Sequence, residues 1–477
     1  MSNASAAYTQ ILAITAVDSY LTVGSTESFF VGSNNKYSNF AMTHVVSNQQ
    51  AMTANAQNIT IERDGDYLAG IAVFIKGPGL KAVDAGTLVL APGTSTPSDA
   101  TSVHVSSEST GGSHPNLIAR ANRPFDVCPR YCNFAPCHMI NTAELKIGNV
   151  VMDTLHGEQI AAYYQTFCEV APPEMLNAGG RDDRSRMALR PNIEFIVPLP
   201  FSFFTSYAKC LNLLAITYNT LVLNLTMNSP LTCIENKDCS AVTYGTGSTA
   251  IAASTKFNTG AVAVSDYTVG LLNTYVYVSQ EERQARLNEM SDIVFLQHQL
   301  STDVFTGKQS AETANAIDLN FNFPVHALLF CPHSSTRDSN NEQGCYLGQE
   351  HPSRMSADNI DGWANKLLGN VAILVNNQER VNTGLVNFMT QFTHQRHAVR
   401  QPTRHNHMYL YPFGLHSPYV GDPSGSLNFS RLASCRANFT LGTFENAQIG
   451  SVSCNVIALN WNVANFSGGS CTLRFSS

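Results

Sequence analysis

Charge is what this sequence has least of. Lys, Arg, Asp and Glu together supply 13% of its 477 residues, about half the usual share of a soluble chain. The 28 cations and 35 anions leave a formal charge of only −7, without the dense basic face that neutralises phosphates. Direct nucleic-acid binding is therefore not expected. Long hydrophobic runs are missing as well. The longest candidate, 195–204, is broken by Pro198 and Pro200, far short of the ~18 uninterrupted apolar residues that span a bilayer. Tryptophan occurs twice, at Trp363 and Trp461, with no recognisable acidic pair between them, which counts against a carbohydrate-cleaving groove. There is no Walker A loop, no His-Glu-x-x-His and no Gly-x-Ser-x-Gly elbow. No enzyme, no catalytic residues and no cofactor are expected.

Residues 1–20 contain no Lys or Arg and position 2 is Ser2. Signal-peptide and myristoylation patterns are thus not matched, and a soluble chain made in the cytosol is expected. Twelve cysteines in this length do not read as the framework of a small secreted domain. They are expected mostly as buried thiols. Acceptor tripeptides for glycosylation at Asn224, Asn428 and Asn438 are read as unused.

What replaces charge is Ser, Thr, Asn and Gln among 44% hydrophobic residues, enough apolar matter for a core. A chain of this kind can cover much of its outside with neighbours while desolvating few ions, which suits an assembly subunit. Its length fits two domains of roughly 200–250 residues.

Period-two alternation dominates. Ile59 and Ile61, then Leu221, Leu223 and Leu225, then Leu319, Phe321 and Phe323 alternate with polar neighbours. Further extended runs include Tyr409 to Phe413, 452–459 and 471–475. The continuous run 371–375 predicts a strand covered on both faces. Short runs separated by Gly, Pro, Ser and Asn predict an all-β sandwich or barrel. Helices are expected at about 280–290, opened by a capping box at Ser279 and Glu282, and at 153–164. Long loops are expected at 92–114, 181–190 and 232–260. No linear repeat relates the two halves.

Three clusters invite a chemical reading. Gly77-Pro78-Gly79-Leu80-Lys81-Ala82 fits a loose dinucleotide fingerprint but leads into no helical pattern, and reads as a turn between strands. Cys128, Cys132, Cys137 and His138 offer four metal-ligand types at spacings of no known zinc module, and a Cys-rich loop against the core is the expectation. His394, Arg396, His397, Arg400, Arg404, His405 and His407 form a cation-rich tract, suited to an anionic headgroup or acidic partner or simply to a solvated loop.

Several landmarks together are similar, in order, to the major capsid protein of icosahedral nucleocytoplasmic large DNA viruses. They are Asp18 to Thr22 with Phe29-Phe30-Val31 and Asn39 to Met42, Arg63 to Leu68, Ile196 to Phe201, Tyr275 to Val278 with Glu281-Glu282-Arg283, and Pro423 to Arg431. The long loops, the cation-rich tract and Leu432, where the family more often has Ile, are departures; the length suits a Marseillevirus-like relative.

The resemblance implies an all-β chain of two tandem eight-stranded jelly-roll β-sandwiches joined by a short helical linker. Their expected spans are 1–279, 280–296 for the linker, and 297–477. It implies a homotrimer of pseudo-hexagonal outline that contacts neighbouring capsomers and tiles an icosahedral shell. That shell would enclose an internal membrane and a DNA genome, rest on minor capsid proteins, and be assembled in the host cytoplasm. Residues 92–114 and 232–260 are expected to form the exterior crown. Pro423 to Arg431 is expected to be structural, with Gly425 in a conformation closed to other residues and with Leu427 and Phe429 on one face. A minor double-jelly-roll capsid protein is the first alternative; a carbohydrate-binding β-sandwich is the second.

Overall fold

The computed structural model describes residues 8–9, 12–13, 37–53, 55–78, 130–132, 134–168, 192–235, 264–287, 291–305, 314–335, 338, 343, 346, 367–385, 387–399, 408–419, 422–441 and 451–475. Residues 41–477 make one compact unit and residues 1–40 another. Of the sequence expectations, Cys128, Arg400, Arg404, His405, His407, the landmarks at 18–22 and 29–31, and the loops at 92–114 and 181–190 lie outside the described residues, as does 236–260 of the third loop.

Sixteen principal strands follow the chain. The first eight are β1 (Phe40–Ala51), β2 (Gln57–Ile61), β3 (Tyr67–Pro78), β4 (Ile140–Ile147), β5 (Val150–His156), β6 (Asn192–Pro198), β7 (Leu221–Met227) and β8 (Thr268–Val278). The second eight are β9 (Ser291–Phe305), β10 (Ala314–Asp318), β11 (Pro324–Ser334), β12 (Leu368–Val375), β13 (Gln378–Val381), β14 (Tyr409–Pro412), β15 (Cys435–Leu441) and β16 (Val452–Ser467). Four short helices matter below: α1 (Ala135–Met139), α2 (Gly157–Thr166), α3 (Gln280–Arg286) and α4 (Thr393–His397).

Strand order reveals a duplication. One sheet runs β1-β8-β3-β6 and its partner β2-β7-β4-β5; two more run β9-β16-β11-β14 and β10-β15-β12-β13. Adding eight to every strand number of the first pair of sheets gives the second pair. Each half is therefore an eight-stranded jelly roll, a sandwich of two four-strand paths. Short strands extend two of the sheets: Leu211–Asn212 beside β3, Leu427–Asn428 beside β11, and Ser470–Leu473 beside β16.

Alternation explains each sandwich. In β7 the apolar Leu221, Leu223, Leu225 and Met227 are buried and the residues between them half-buried. They meet Ile71, Val73 and Ile75 of β3 in the first core. In the second, Ile317, Phe439 and Ile373 from one sheet meet Leu328, Phe330 and Val456 from the other. The β4–β5 and β12–β13 hairpins use the same device. Gly148 has φ 63°, and Asn376 and Asn377 have φ 51° and 62°, left-handed conformations that two-residue hairpins require and that Gly and Asn tolerate.

Antiparallel pairing sends the connections after β3, β5 and β7 to one end of the first roll, and those between β4 and β5 or β6 and β7 to the other. The segments returning from 79–129 and leaving toward 236–263 lie side by side there: Tyr131 pairs Ile234 and Arg130 pairs Glu235.

Some expectations move. Residues 153–156 belong to strand β5, where Leu155 pairs Ala143 of β4; the helix begins only at Gly157. α3 opens at Ser279, whose hydroxyl accepts the Glu282 amide at 3.5 Å, and it ends at Arg286. β9 starts at Ser291, inside the span expected for the linker, because its first residue already pairs Phe466 of β16. In β12, Val371, Ala372 and Ile373 are buried, while Leu374 and Val375 are only half-buried. The strand buried almost throughout is β11. Gly77 and Pro78 close β3, paired to Ile193 and Asn192; a Cβ on Gly77 would run into the Tyr267 ring.

Candidate functional site

The second roll's first sheet has an inner face on its own core and an outer face that the first roll covers. Successive residues of β11 divide accordingly: Leu328 and Phe330 face inward, while Ala327, Leu329 and Cys331 join Ile457, Leu459 and Leu410 outside. The cover is α2. Its Ile160, Ala161 and Tyr164 bury into the first roll, and Ala162, with Phe167 just beyond the helix, packs onto the second. The helix is placed by its start, where the His156 amide donates to Gln159 Oε1 at 2.7 Å, and by Tyr164, whose hydroxyl donates to the Pro198 carbonyl at 2.5 Å.

Two buried carboxylates cross this interface. Glu158, in the first turn of α2, meets His333 Nε2 of β11 at 2.6 Å with one oxygen and accepts from Asn455 Nδ2 at 2.6 Å with the other. His333 Nδ1 lies 3.6 Å from Asp338. Burial alone would lower the imidazole's pKa, but the carboxylates of Glu158 and Asp338 and their hydrogen bonds raise it to about 10. Burial works to raise the Glu158 carboxyl, and His333, Asn455 and His138 together bring it below its ordinary value. The pair is thus charged on both sides at neutral pH.

The second carboxylate, Asp153 of β5, accepts the His298 amide at 2.9 Å and lies 2.8 Å from His298 Nδ1. An ionised carboxylate only accepts, so the ring nitrogen donates. The far nitrogen, Nε2, meets the Tyr419 hydroxyl at 2.7 Å, and the Tyr419 ring packs on Tyr163 and Phe167. Around these polar anchors Phe203 stacks on Phe295 at 5.1 Å, and Ser202 Oγ accepts the Leu296 amide at 3.0 Å. The end of β16 crosses over: Ala464 and Phe466, with Cys471 after it, belong to the first core. One strand thereby carries side chains of both rolls' interiors.

The segment 423–431 is a clip. Ser424 Oγ accepts the amides of Leu415 and His416 at 3.2 and 3.0 Å. Gly425 has φ 133°, and a Cβ there would press on Gly414 and the Phe413 carbonyl, so glycine is required. Phe429 is buried, Leu427 half-buried, and Asn428 and Ser430 exposed. Ser430 Oγ accepts the Phe323 amide at 2.8 Å, and the Phe429 amide donates to the Phe323 carbonyl, holding Phe323 at φ 67°. The motif ties the connection after β14 to that between β10 and β11, as a structural role requires.

The cysteine cluster is interior. Cys132, Cys137 and Cys233 are fully buried, the Cys132 amide donates to the Cys233 carbonyl at 2.7 Å, and burial, with Cys233 nearby, raises the Cys137 thiol. Burial lowers His138 to about 4 despite Glu158. Among the described residues no group of three or more His, Cys, Asp or Glu could hold a metal. The cation-rich tract divides: His394 is buried in α4, whereas Arg396 is exposed and lies 5.3 Å from the Phe392 ring centroid. No helix among the described residues is long and apolar enough to cross a membrane.

The anchors Asp153, Glu158, His298 and His333 were not singled out in the sequence. Their one sequence signal is polarity out of phase: His333 follows the apolar run Ala327 to Pro332 in its strand, and His298 lies in a β9 stretch beginning Phe295-Leu296.

The comparisons agree with this architecture. Residues 282–472 match the family described as large eukaryotic DNA virus major capsid protein. A major capsid protein of Chrysochromulina ericina virus is 24% identical over 352 residues, 67% of this chain and 56% of that one; the match thus spans little more than half the length of that relative. Among solved structures, VP54 of PBCV-1, fitted into a reconstruction of the virophage Sputnik, is similar with a TM-score of 0.65 and 18% identity, covering 94% of this chain and 100% of that chain. The Faustovirus major capsid protein gives 0.57 at 12% identity, covering 94% of each. The family model thus matches the second roll, and these solved capsid proteins share the fold across both rolls.

Proposed function

We propose that this chain is the structural major capsid protein of a large DNA virus, three copies of which form a pseudo-hexagonal capsomer that tiles an icosahedral shell around an internal membrane. The observation that carries the reading is the duplicated strand order. Two equivalent rolls in one chain give three copies six similar bodies, the number a hexagonal outline needs. Their division is read as 1–279, a linker at 280–296, and 297–477. The scarcity of charge supports it from another side, since interfaces of permanent assemblies commonly bury ~2,000–5,000 Å² and desolvating ions there is costly.

The segments 92–114 and 232–260 are read as the exterior crown. Support comes from Arg130–Tyr131 and Ile234–Glu235, which bring the roots of both to one end of the first roll. The opposite end, which holds the short hairpin at Gly148 and the 199–220 connection, is read as facing the membrane and the minor capsid proteins, in a particle assembled in the host cytoplasm. The role is structural rather than catalytic.

Quantitative protein analysis of purified particles tests this. The chain is expected as the most abundant protein, with the segments 92–114 and 232–260 cut first when intact particles meet a protease. A trace-level component with both segments protected would contradict it.

A further inference from the structure

The two rolls carry comparable rows of residues on equivalent outer faces. In the first roll, register places Leu272 of β8, Ala72 of β3 and Pro198 of β6 in one row. In the second, Leu459 of β16, Ala327 of β11 and Pro412 of β14 form the matching row. The next rows are Gly270, Phe74 and Ile196, against Ile457, Leu329 and Leu410. Strand order agrees and the first row matches in residue type, while Gly270 stands where the second roll has Ile457; the cover differs as well. Ala162 of α2, Phe167 and Tyr346 cover the second face, α4 lies against β14 itself, and Leu410 is left at 0% exposure, whereas Ile196 is 43% exposed and Leu272 is half-buried. Among the described residues no α-helix packs on the first face.

A helix of the equivalent kind exists. α2 lies in the connection from β5 to β6; the connection from β13 to β14 holds a π-helix, Phe388–Phe392, continued by α4. Each is tied to the sixth strand of its roll, Tyr164 to the Pro198 carbonyl and Thr393 to that of Leu410. The second segment exposes Phe392 at 49%, flanked by Leu385 at 67% and Val399 at 42%. Its charge also complements the Glu194 end of the first face, where Lys76 lies over the Phe74 ring. Arg396 is exposed beside Phe392, and Glu194 stands exposed on the rim next to Ile196, paired only loosely with Lys76 at 3.5 Å. The Val399 amide donates to the Thr166 carbonyl at 3.0 Å, so this segment continues directly from the end of α2.

We propose that the outer face centred on Phe74, Ile196 and Leu272 seats the 388–397 segment of a second copy of this chain, repeating between copies the interface that α2 makes within one. This contact rests on the assembly reading and is the one that closes the assembly. Three such head-to-tail contacts form a ring in which every roll's first sheet is covered, the closed outcome of a heterologous interface. Ion-pair polarity is reversed: the helix supplies the cation and the sheet the carboxylate.

The test uses full-length protein. Light scattering on wild type is expected to give three times the 51.8 kDa of a single chain. Ile196→Glu and Phe392→Glu should each weaken association at least tenfold and move the mass toward one copy. Thermal unfolding of the diluted, dissociated chains should stay unchanged. Glu194→Arg should impair association and Arg396→Glu in the same chain restore it. With Ile196→Cys and Phe392→Cys together, oxidation should join peptides from different copies, identified by mixing isotopically light and heavy protein. A wild type of trimer mass whose glutamate variants keep that mass, with no cross-link or one confined to a single chain, overturns this contact while the trimer stands. A wild type that keeps the mass of one chain at every concentration and in every particle overturns both.

Discussion

Leu410 and Ile196 occupy the same place in their rolls, on the sixth strand and in the middle row of an outer sheet face. One is fully buried and the other nearly half exposed. The neighbouring row of Leu272, Ala72 and Pro198 matches that of Leu459, Ala327 and Pro412; in their own row Gly270 stands where the second roll has Ile457, and the cover each roll receives differs as well. The second roll has α2 of its neighbour, anchored beside Glu158 and Asp153, and its own α4 against β14. The first roll has an ion pair of Lys76 and Glu194, both substantially exposed. A fold duplicated within one chain thus presents one satisfied interface and one open copy of it, and the satisfied copy shows what the open one is shaped to accept.

Substitutions placed in equivalent positions sharpen or break that contrast. The largest effect is expected at the buried carboxylate. Glu158→Ala removes the nearer carboxylate from buried His333, leaving Asp338 at 3.6 Å, and should cost about 3–5 kcal/mol, read from the denaturant midpoint of the isolated chain. Glu194→Ala in the open face should cost about 0–1 kcal/mol. Equal losses would show that the two faces are not differently covered. Leu410→Ala should cost about 2–5 kcal/mol, whereas Ile196→Ala in the dissociated chain should stay within ~0.5 kcal/mol. Gly425→Ala tests the clip, which the second roll has beside its long post-β14 connection. At φ 133° the added methyl should cost about 1–3 kcal/mol, and an unchanged melting temperature would count against strain there.

The smallest effect at neutral pH, and the most diagnostic across pH, concerns Glu158 with His333. The Glu158 carboxyl is depressed in the fold, so its contribution is present above the unfolded pKa of ~4.3 and is lost as pH falls through the folded value. His333 is raised to about 10, so its contribution is complete below ~6.5 and is lost as pH rises through about 10. The stability difference between wild type and the Glu158→Gln, His333→Gln double variant should therefore peak at roughly pH 4.5–6.5 and shrink on both sides. A pH-independent difference would mean that the pair does not carry charge across the interface.

Much of the fold was legible because it is written locally. Alternation in Leu221 to Met227 places β7, Ser279 marks the start of α3, and Pro423-Ser424-Gly425 announces a tight turn that the structure turns into a clip. The ordered landmarks named the double jelly roll. The helix expected at 153–164 starts only at Gly157 because Asp153, Thr154 and Leu155 are held extended by pairing with β4, a tertiary preference that outweighs local pattern. The interface anchors were invisible for a related reason. Asp153 and His298 are 145 positions apart, and Glu158 and His333 175, so nothing in either neighbourhood signals the other. The duplication escaped a linear search because each matching row draws one residue from three separate strands. Leu272, Ala72 and Pro198 become a repeat of Leu459, Ala327 and Pro412 only once registers are known.

Whether copies of this chain close into a ring of three is the central question. Purified full-length protein, weighed by light scattering and imaged in the same buffer, is the direct measurement. A stable particle of three times the 51.8 kDa chain mass, with a hexagonal outline, is the predicted result. A population of single chains of 51.8 kDa, unchanged by concentration and showing two-lobed images with no ring, would contradict it.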